Sequence, residues 1–242
     1  MITYEDKAKY ELRLWQLKIN KRPSITSQIS KGFQAKVNSL IPDKVHTVIT
    51  ETIKNMVRAV SAGSEFTTRK PLIMATLEER EIFVNEKLNF YKKAAALSGA
   101  GIGAGGIVLG LADLPVLLSL KMKFLFDSAS LYGFDVRDYK ERLYILYVFQ
   151  LAFSSAERII EVYQYILDWD RYIKELPSDI NSFDWRTFQQ EYRDYIDLAK
   201  MLQLVPGIGA IVGAYANYQL MDKLGETTIN AYRMRMINNN FN

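Results

Sequence analysis

The chain has 242 residues and a mass of 27.9 kDa, with 49% hydrophobic and 24% charged residues. This length is enough for one bundle-type domain with a substantial core. The absence of cysteine excludes disulfides, thiol nucleophiles and thiolate metal sites, and a lone His46 excludes metal sites built from several histidines. The usual catalytic side chains are therefore mostly missing, and no cofactor or metal is expected.

Positive charge is concentrated in the front third of the chain. Residues 1–74 hold 13 Lys and Arg against 6 Asp and Glu, whereas the rest holds 18 against 21. This asymmetry predicts an anionic partner, and we expect the inner face of the plasma membrane rather than nucleic acid. Solvated helix faces rich in lysine are the alternative. The N-terminal residues lack the apolar core of a signal peptide, so we expect a cytoplasmic, peripheral protein.

Three amphipathic helices are predicted before residue 63. The first covers residues 3–20, the second begins after Ser24, and Pro42 opens the third. The first helix fits a helix lying on a membrane surface as well as one docked on a core. The candidates for membrane contact are Lys7, Lys9, Arg13, Trp15, Lys18, Lys21 and Arg22.

A capping box and a glycine-rich stretch mark the middle of the chain. Thr76 and Glu79 have the capping-box spacing, and the helix that they open is predicted to reach about Leu97. The uncharged stretch 94–112 contains six glycines and runs into Asp113, which can cap a further helix. Gly133 is the expected left-handed end of that helix.

The remaining elements are also predicted to be helical. Residues 138–176 form one or two aromatic-rich helices, Asp184 can cap another, and a polar helix follows the second uncharged stretch, 201–221. No run of alternating β-branched residues occurs. The prediction is an all-α, multi-helix bundle with two Gly-rich apolar helical segments at about 94–112 and 201–221. It forms a single domain, 1–242, with a basic prefix at 1–63 and a helical core at 76–237.

The glycines are interpreted as sites of close approach. Residues 101–106 match G-x-G-x-x-G but lack the preceding strand that a dinucleotide site requires. Pairs spaced four apart instead suit close packing against a helix or an acyl chain. The two stretches are long enough to span a membrane, but their Gly, Asn and Gln content favours packed helices. The predicted packing or ligand groove consists of Gly99, Gly103, Gly106, Gly110, Asp113, Pro115, Gly207, Gly209, Gly213 and Asn217.

Catalytic candidates are few. Asp113 borders an apolar stretch and could act as a base, although its Asp-Leu-Pro context favours a capping role. His46 lies within an apolar-striped helix, which favours a structural role. The acidic residues between 168 and 179 do not have the spacing of a metal site.

Several motifs together resemble the EcsC family, which is named for an ABC-transporter operon of Gram-positive bacteria. They are the glycine stretch 99–110 running into 113–115, residues 131–135, residues 205–213, residues 217–218 and residues 222–225. The resemblance covers nearly the whole chain and implies no catalytic residue. It implies a bacterial accessory protein, partnered by ABC transporter subunits or the cytoplasmic membrane, with a lipid or an apolar peptide as a further candidate partner.

Three functions are compatible with these observations. A non-enzymatic accessory protein of an ABC-type transport or secretion system is favoured. A soluble carrier of a hydrophobic ligand, lipid or apolar peptide, is the alternative. An enzyme that modifies lipids or peptides, with Asp113 as base, ranks last because the chain offers so few acid–base groups.

Overall fold

A computed structural model describes residues 2–21, 43–62, 70–102, 114–154, 158–184, 186–187 and 209–239. These ranges contain eight α-helices, a 3-10 turn at Ile180–Ser182 and no β-strand. The helices are α1 (Tyr4–Asn20), α2 (Asp43–Ala62), α3 (Leu77–Ile102), α4 (Leu114–Leu131), α5 (Tyr139–Phe153), α6 (Ile159–Leu167), α7 (Trp169–Glu175) and α8 (Gly209–Asn239). The predicted all-α multi-helix bundle is confirmed.

Local capping chemistry sets the starts of α1 and α3. Thr3 Oγ1 accepts a hydrogen bond from the Asp6 amide at 3.2 Å, and the Asp6 carboxylate accepts one from the Thr3 amide at 3.1 Å. The same reciprocal pair forms between Thr76 and Glu79, at 3.3 and 2.8 Å. Each pair satisfies amides that a helix start leaves without partners. The capping box predicted at Thr76 is confirmed.

Three boundaries differ from the predictions. Helix α3 continues to Ile102, past the predicted end at Leu97, because its alanines and uncharged residues carry no stop signal. The aromatic region 138–176 forms three helices rather than one or two. Residues 209–221 of the uncharged stretch and the polar helix after them are one continuous helix, α8, since no proline interrupts residues 209–239. The predicted helix after Ser24 lies outside the described residues.

Helices α3 and α8 form the most extensive helix pair in the described structure. They run antiparallel: Glu81 contacts Arg233, Leu88 contacts Gly225, and Lys92 contacts Asp222. Helix α4 packs on the same α3, and α1 crosses the other end of α8. The long α3–α8 pair is therefore the frame on which the remaining helices are placed.

The core is aromatic and centres on α5. Fourteen of its fifteen residues are buried, so α5 is covered on all sides. The Tyr144 ring contacts Trp169 of α7 and Tyr232 of α8, with centroids 5.0 and 5.2 Å apart. Edge-to-face aromatic contacts of this kind add about 1 kcal/mol beyond the area that they bury. The described aromatic residues of α5, α7 and α8 therefore contribute to the core.

A tight turn after α4 is fixed by one arginine. Gly133 adopts φ +95°, as its predicted left-handed role requires. The Arg80 guanidinium packs beside it and donates to the carbonyls of Leu131, at 3.0 Å, and Ile73, at 2.9 Å. Arg80 thus ties the segment before α3 to the end of α4.

Candidate functional site

The glycine-bearing end of the α3–α8 pair holds several of the predicted groove residues. Gly99 lies in the last turn of α3, Gly209 opens α8, and Gly213 lies one turn later. The antiparallel register set by the Lys92–Asp222 contact, extended by residue count, predicts that the last turn of α3 lies across from Gly213. Such an arrangement lets two backbones approach closely. Gly103, Gly106, Gly110, Asp113 and Gly207 lie outside the described residues.

Pro115 and Asn217 are the groove residues with described side chains. Pro115 is exposed in the first turn of α4. Asn217 of α8 is fully buried, and neither its Oδ1 nor its Nδ2 has a hydrogen-bond partner. A buried amide without partners costs on the order of 1–3 kcal/mol per unsatisfied group. The Asn217 side chain therefore lowers the stability of the fold compared with an apolar side chain of similar size.

A second buried polar side chain, Lys121 of α4, was missed by sequence reasoning. It is 2% exposed, and it has no ion pair or hydrogen bond within the described part of the chain. Burial lowers the pKa of its ammonium group from 10.5 to about 8. The sequence did contain a signal for this burial. Lys121 follows Leu118 by three residues and Leu117 by four, which places it on the apolar face of α4.

Lys121 of α4 and Asn217 of α8 lie at a similar height along α3. The Tyr91 hydroxyl donates to Asp127 of α4 at 3.0 Å, and Lys121 lies about 9 Å further along α4 at 1.5 Å per residue. Asn217 lies about 8 Å beyond the Lys92–Asp222 contact by the same measure. Both positions are therefore level with the last two turns of α3.

Large exposed hydrophobic side chains mark the same end of the bundle. Leu97 of α3, Val116 of α4 and Tyr215 of α8 are 75%, 51% and 65% exposed. Each belongs to one of three helices that contact one another, α3, α4 and α8. Scattered exposed hydrophobics are ordinary, but three from adjoining helices at one level resemble a contact surface.

Two buried charge networks further along α8 serve the fold. Arg233 binds Glu81 of α3 through two hydrogen bonds, at 2.7 and 2.6 Å, and Glu11 of α1 at 2.8 Å. Arg235 binds Glu141 of α5 at 2.7 Å. Their charges are mutually compensated, and their geometry fixes α1, α3 and α5 to α8. Neither network leaves a titratable group free for catalysis.

Helix α1 is docked on the bundle by one face. Trp15, which was expected at a membrane surface, is 6% exposed, and its ring lies 6.1 Å from that of Tyr163. It packs there because it shares a helical face with the buried Ala8 and Leu12. The surface role expected of Trp15 therefore does not fit its position in the core.

The basic residues of α1 lie mostly outward. Arg13 and Lys21 are exposed, and neither has a charged partner within the described ranges. Lys7 lies 3.8 Å from Glu11, and Lys18 lies 3.3 Å from Glu226 in an exposed pair. Lys9 is partly buried, and Arg22 lies outside the described residues.

Exposed apolar residues run between these charges. Tyr10, Leu14 and Leu17 are 64%, 49% and 53% exposed. Their spacing of four and three residues puts them on one face of α1, opposite the face that docks on the bundle. Helix α1 therefore has two apolar faces, one buried and one in solvent.

The described structure offers no assembled catalytic or metal centre. Its residues include no cluster of three His, Asp or Glu that could hold a metal ion. Among the acidic residues near the end of α6, Asp168 pairs with Arg171 at 3.2 Å. His46 is a residue of α2. None of the helices in the described ranges is both long and apolar enough to cross a membrane.

Comparison with known proteins gives a consistent family assignment. The chain is 46% identical to Protein EcsC of Bacillus subtilis (strain 168) over 224 residues, which is 92% of each chain. It is 28% identical to the uncharacterized protein YdbA of the same organism, over 83% of this chain and 81% of YdbA. No solved structure matches. Residues 6–237 match the EcsC protein family, and the chain therefore belongs to the EcsC family.

Proposed function

We propose that this protein is a non-enzymatic accessory protein of an ABC-type transport or secretion system, bound peripherally to the cytoplasmic face of the plasma membrane. The outward face of α1 is the observation that carries the membrane part. Membership of the EcsC family, whose name comes from an ABC-transporter operon, supports the transporter part.

The outward face of α1 combines the two features of a helix that lies in a membrane interface. Tyr10, Leu14 and Leu17 supply an apolar strip that can enter the region below the lipid headgroups. Arg13 and Lys21 lie on or beside this strip and can contact anionic lipid. Each basic residue near such a surface contributes about 1 kcal/mol.

Docking of α1 on the bundle strengthens this proposal. The Tyr4 hydroxyl donates to Glu81 at 2.7 Å, and Arg233 contacts Glu11 at 2.8 Å, so α1 is already ordered. An ordered helix avoids most of the conformational entropy that a flexible peptide loses on binding a membrane. Two unpaired charges and three apolar side chains are then enough for a weak, reversible attachment.

Vesicle sedimentation tests the membrane part. We expect the protein to sediment with vesicles that contain about 30% phosphatidylglycerol and not with vesicles of pure phosphatidylcholine. The protein should dissociate from the anionic vesicles in about 0.5 M salt, because salt screens surface charge. The variant Arg13→Gln/Lys21→Gln should bind about tenfold or more weakly, given about 1 kcal/mol per charge. The variant Arg171→Gln/Lys174→Gln, at two exposed positions of α7, is the matched control and should bind normally.

Equal binding to both kinds of vesicle, or no binding to either, would contradict the membrane proposal. The second candidate, a carrier of an apolar ligand, is favoured by one specific observation: Asn217 is fully buried, and its Oδ1 and Nδ2 have no hydrogen-bond partner. The third candidate, an enzyme using Asp113, gains no support from the described residues.

A further inference from the structure

A row of exposed apolar side chains runs along one face of α3. Phe83, Phe90 and Leu97 are 44%, 62% and 75% exposed, and each follows the one before it by seven residues. Seven residues are close to two helical turns, so the three side chains share one face and span about 21 Å of helix. The contacts of α3 with α8 and α4 are made from another side, through Leu88 and Tyr91. The apolar row therefore lies on the outward face of α3.

Two opposite charges lie between these apolar side chains. Glu86 lies between Phe83 and Phe90 in the sequence, and it shares their helical face. Lys93 lies in the same way between Phe90 and Leu97. Both charged side chains are exposed, and within the described residues neither forms an ion pair. From its start to its end, the outward face of α3 is therefore apolar, acidic, apolar, basic and apolar.

We propose that the outward face of α3 binds the same face of a second copy of this chain, in an antiparallel dimer whose two-fold axis passes beside Phe90. Phe90 then packs against Phe90 of the second copy, and Phe83 lies across from Leu97 of the second copy. Glu86 lies beside Lys93 of the second copy. The two-fold symmetry repeats each of these contacts. This proposal does not rest on membrane attachment through α1.

Charge selects both the second copy and its direction. The order of side chains on the outward face of α3 is complementary to itself when it is reversed, because the acidic position then meets the basic one. A parallel pair in register would place Glu86 beside Glu86 and Lys93 beside Lys93, and like charges that face each other disfavour association. The antiparallel pair has attractive charge contacts at both places and keeps the apolar side chains together.

The composition and size of this face indicate how tight the dimer is. Aromatic side chains such as Phe83 and Phe90 are enriched at protein interfaces. A contact made by one helix face from each copy is at the small end of specific interfaces, where binding is weak and reversible. We therefore expect an exchange between monomer and dimer in the micromolar range.

Single cysteines test the geometry of the dimer, because the chain has no cysteine of its own. With a short thiol-to-thiol cross-linker, Phe90→Cys should cross-link to itself. Phe83→Cys alone and Leu97→Cys alone should not, since two copies of either position lie about 21 Å apart along the helices. An equal mixture of these two variants should give the mixed cross-linked dimer. Leu17→Cys, at an exposed apolar position of α1, is the matched control and should stay uncross-linked.

Exchange of the two charges tests the pairing independently. In sedimentation equilibrium, Glu86→Lys and Lys93→Glu should each weaken self-association about tenfold, because two attractions become two repulsions in every dimer. A mixture of the two variants should recover a heterodimer, in which every contact again joins opposite charges. Both substitutions in one chain should restore its self-association. The control Glu175→Lys, at an exposed position of α7, should change nothing.

Three results would overturn the proposal. A wild-type chain that stays monomeric throughout the micromolar range would assign the outward face of α3 to lipid or to another protein. Self-cross-linking of Phe83→Cys would show a parallel pair, and a dimer unaffected by either charge exchange would show pairing through a different face. Sedimentation of the wild-type chain decides the question even if a variant fails to fold. Vesicle binding by α1 is measured separately, so these results leave the membrane proposal untouched.

Discussion

Lys121 places an ammonium group on the buried face of α4, beside Leu117, Leu118 and Leu125. Among the described residues, no carboxylate forms an ion pair with it, and its burial lowers its pKa to about 8. A group of this kind makes the stability of the fold depend on pH.

Replacing Lys121 should change how stability varies with pH. The pKa of Lys121 is about 8 in the folded chain and 10.5 ordinarily, so between these values the unfolded chain binds more protons. Raising the pH through this window therefore stabilises the wild-type fold, whereas below pH 8 the full cost of the buried charge remains. We expect Lys121→Met to have a higher Tm at pH 7 and this advantage to shrink by pH 9.5.

Thermal denaturation at pH 7, 8, 9 and 9.5 checks this expectation. Buried tyrosines, whose pKa values are raised by burial, act in the opposite direction only when free tyrosine ionises, near pH 10. They are the same in both proteins, so the difference in Tm isolates Lys121. A constant difference across this range would contradict the buried, charged state described for Lys121.

At the scale of single helices, α1 shows what a hydrophobic pattern in the sequence can predict and what it cannot. The period of Ala8, Leu12 and Trp15 predicts the buried face of α1 because one side packs on the bundle. The same period does not say whether that side meets protein or lipid. In the folded chain this side meets protein, since Trp15 packs against Tyr163.

The α3–α8 pair has one contact that admits no added side chain. A methyl group at Gly225 would overlap the methyl carbons of Leu88, which is itself 7% exposed. Gly225→Ala should therefore destabilise the fold by about 1–2 kcal/mol, because the overpacking exceeds the gain of about 1 kcal/mol in helix propensity. Urea denaturation measures this change.

A second substitution tests whether that contact is the cause. In the Leu88→Ala background the overlap disappears, so Gly225→Ala should become neutral or stabilising there. This sign change is the coupling that a double-mutant cycle detects. If Gly225→Ala costs the same free energy in both backgrounds, Leu88 is not the side chain that requires glycine at this position.

At the scale of the whole molecule, the sequence was informative where a signal was local. The capping box at Thr76 and the left-handed Gly133 have short-range signatures, and both appear as predicted. The buried positions of Lys121 and Asn217 depend on which helices meet, which no local pattern encodes. The charged pairs of Arg233 and Arg235 link residues far apart in the chain and were missed for the same reason.

Helix α1 places part of the positive charge of the chain on one defined surface. The excess of basic residues among residues 1–74 is a property of composition, and composition alone leaves solvated helix faces as an explanation. Docking of α1 separates its buried face from an outward face that carries Arg13, Lys21 and an apolar strip. That arrangement, rather than net charge, carries the proposed membrane attachment.

Fractionation of cells that express the full chain tests this claim most directly. We expect the wild-type protein in the membrane fraction at low salt and in the supernatant after a wash in about 0.5 M salt, because surface charge is screened. The variant Arg13→Gln/Lys21→Gln should appear in the supernatant at low salt, and Arg171→Gln/Lys174→Gln should fractionate as the wild type does. A wild-type protein found wholly in the supernatant at low salt would contradict the proposed attachment.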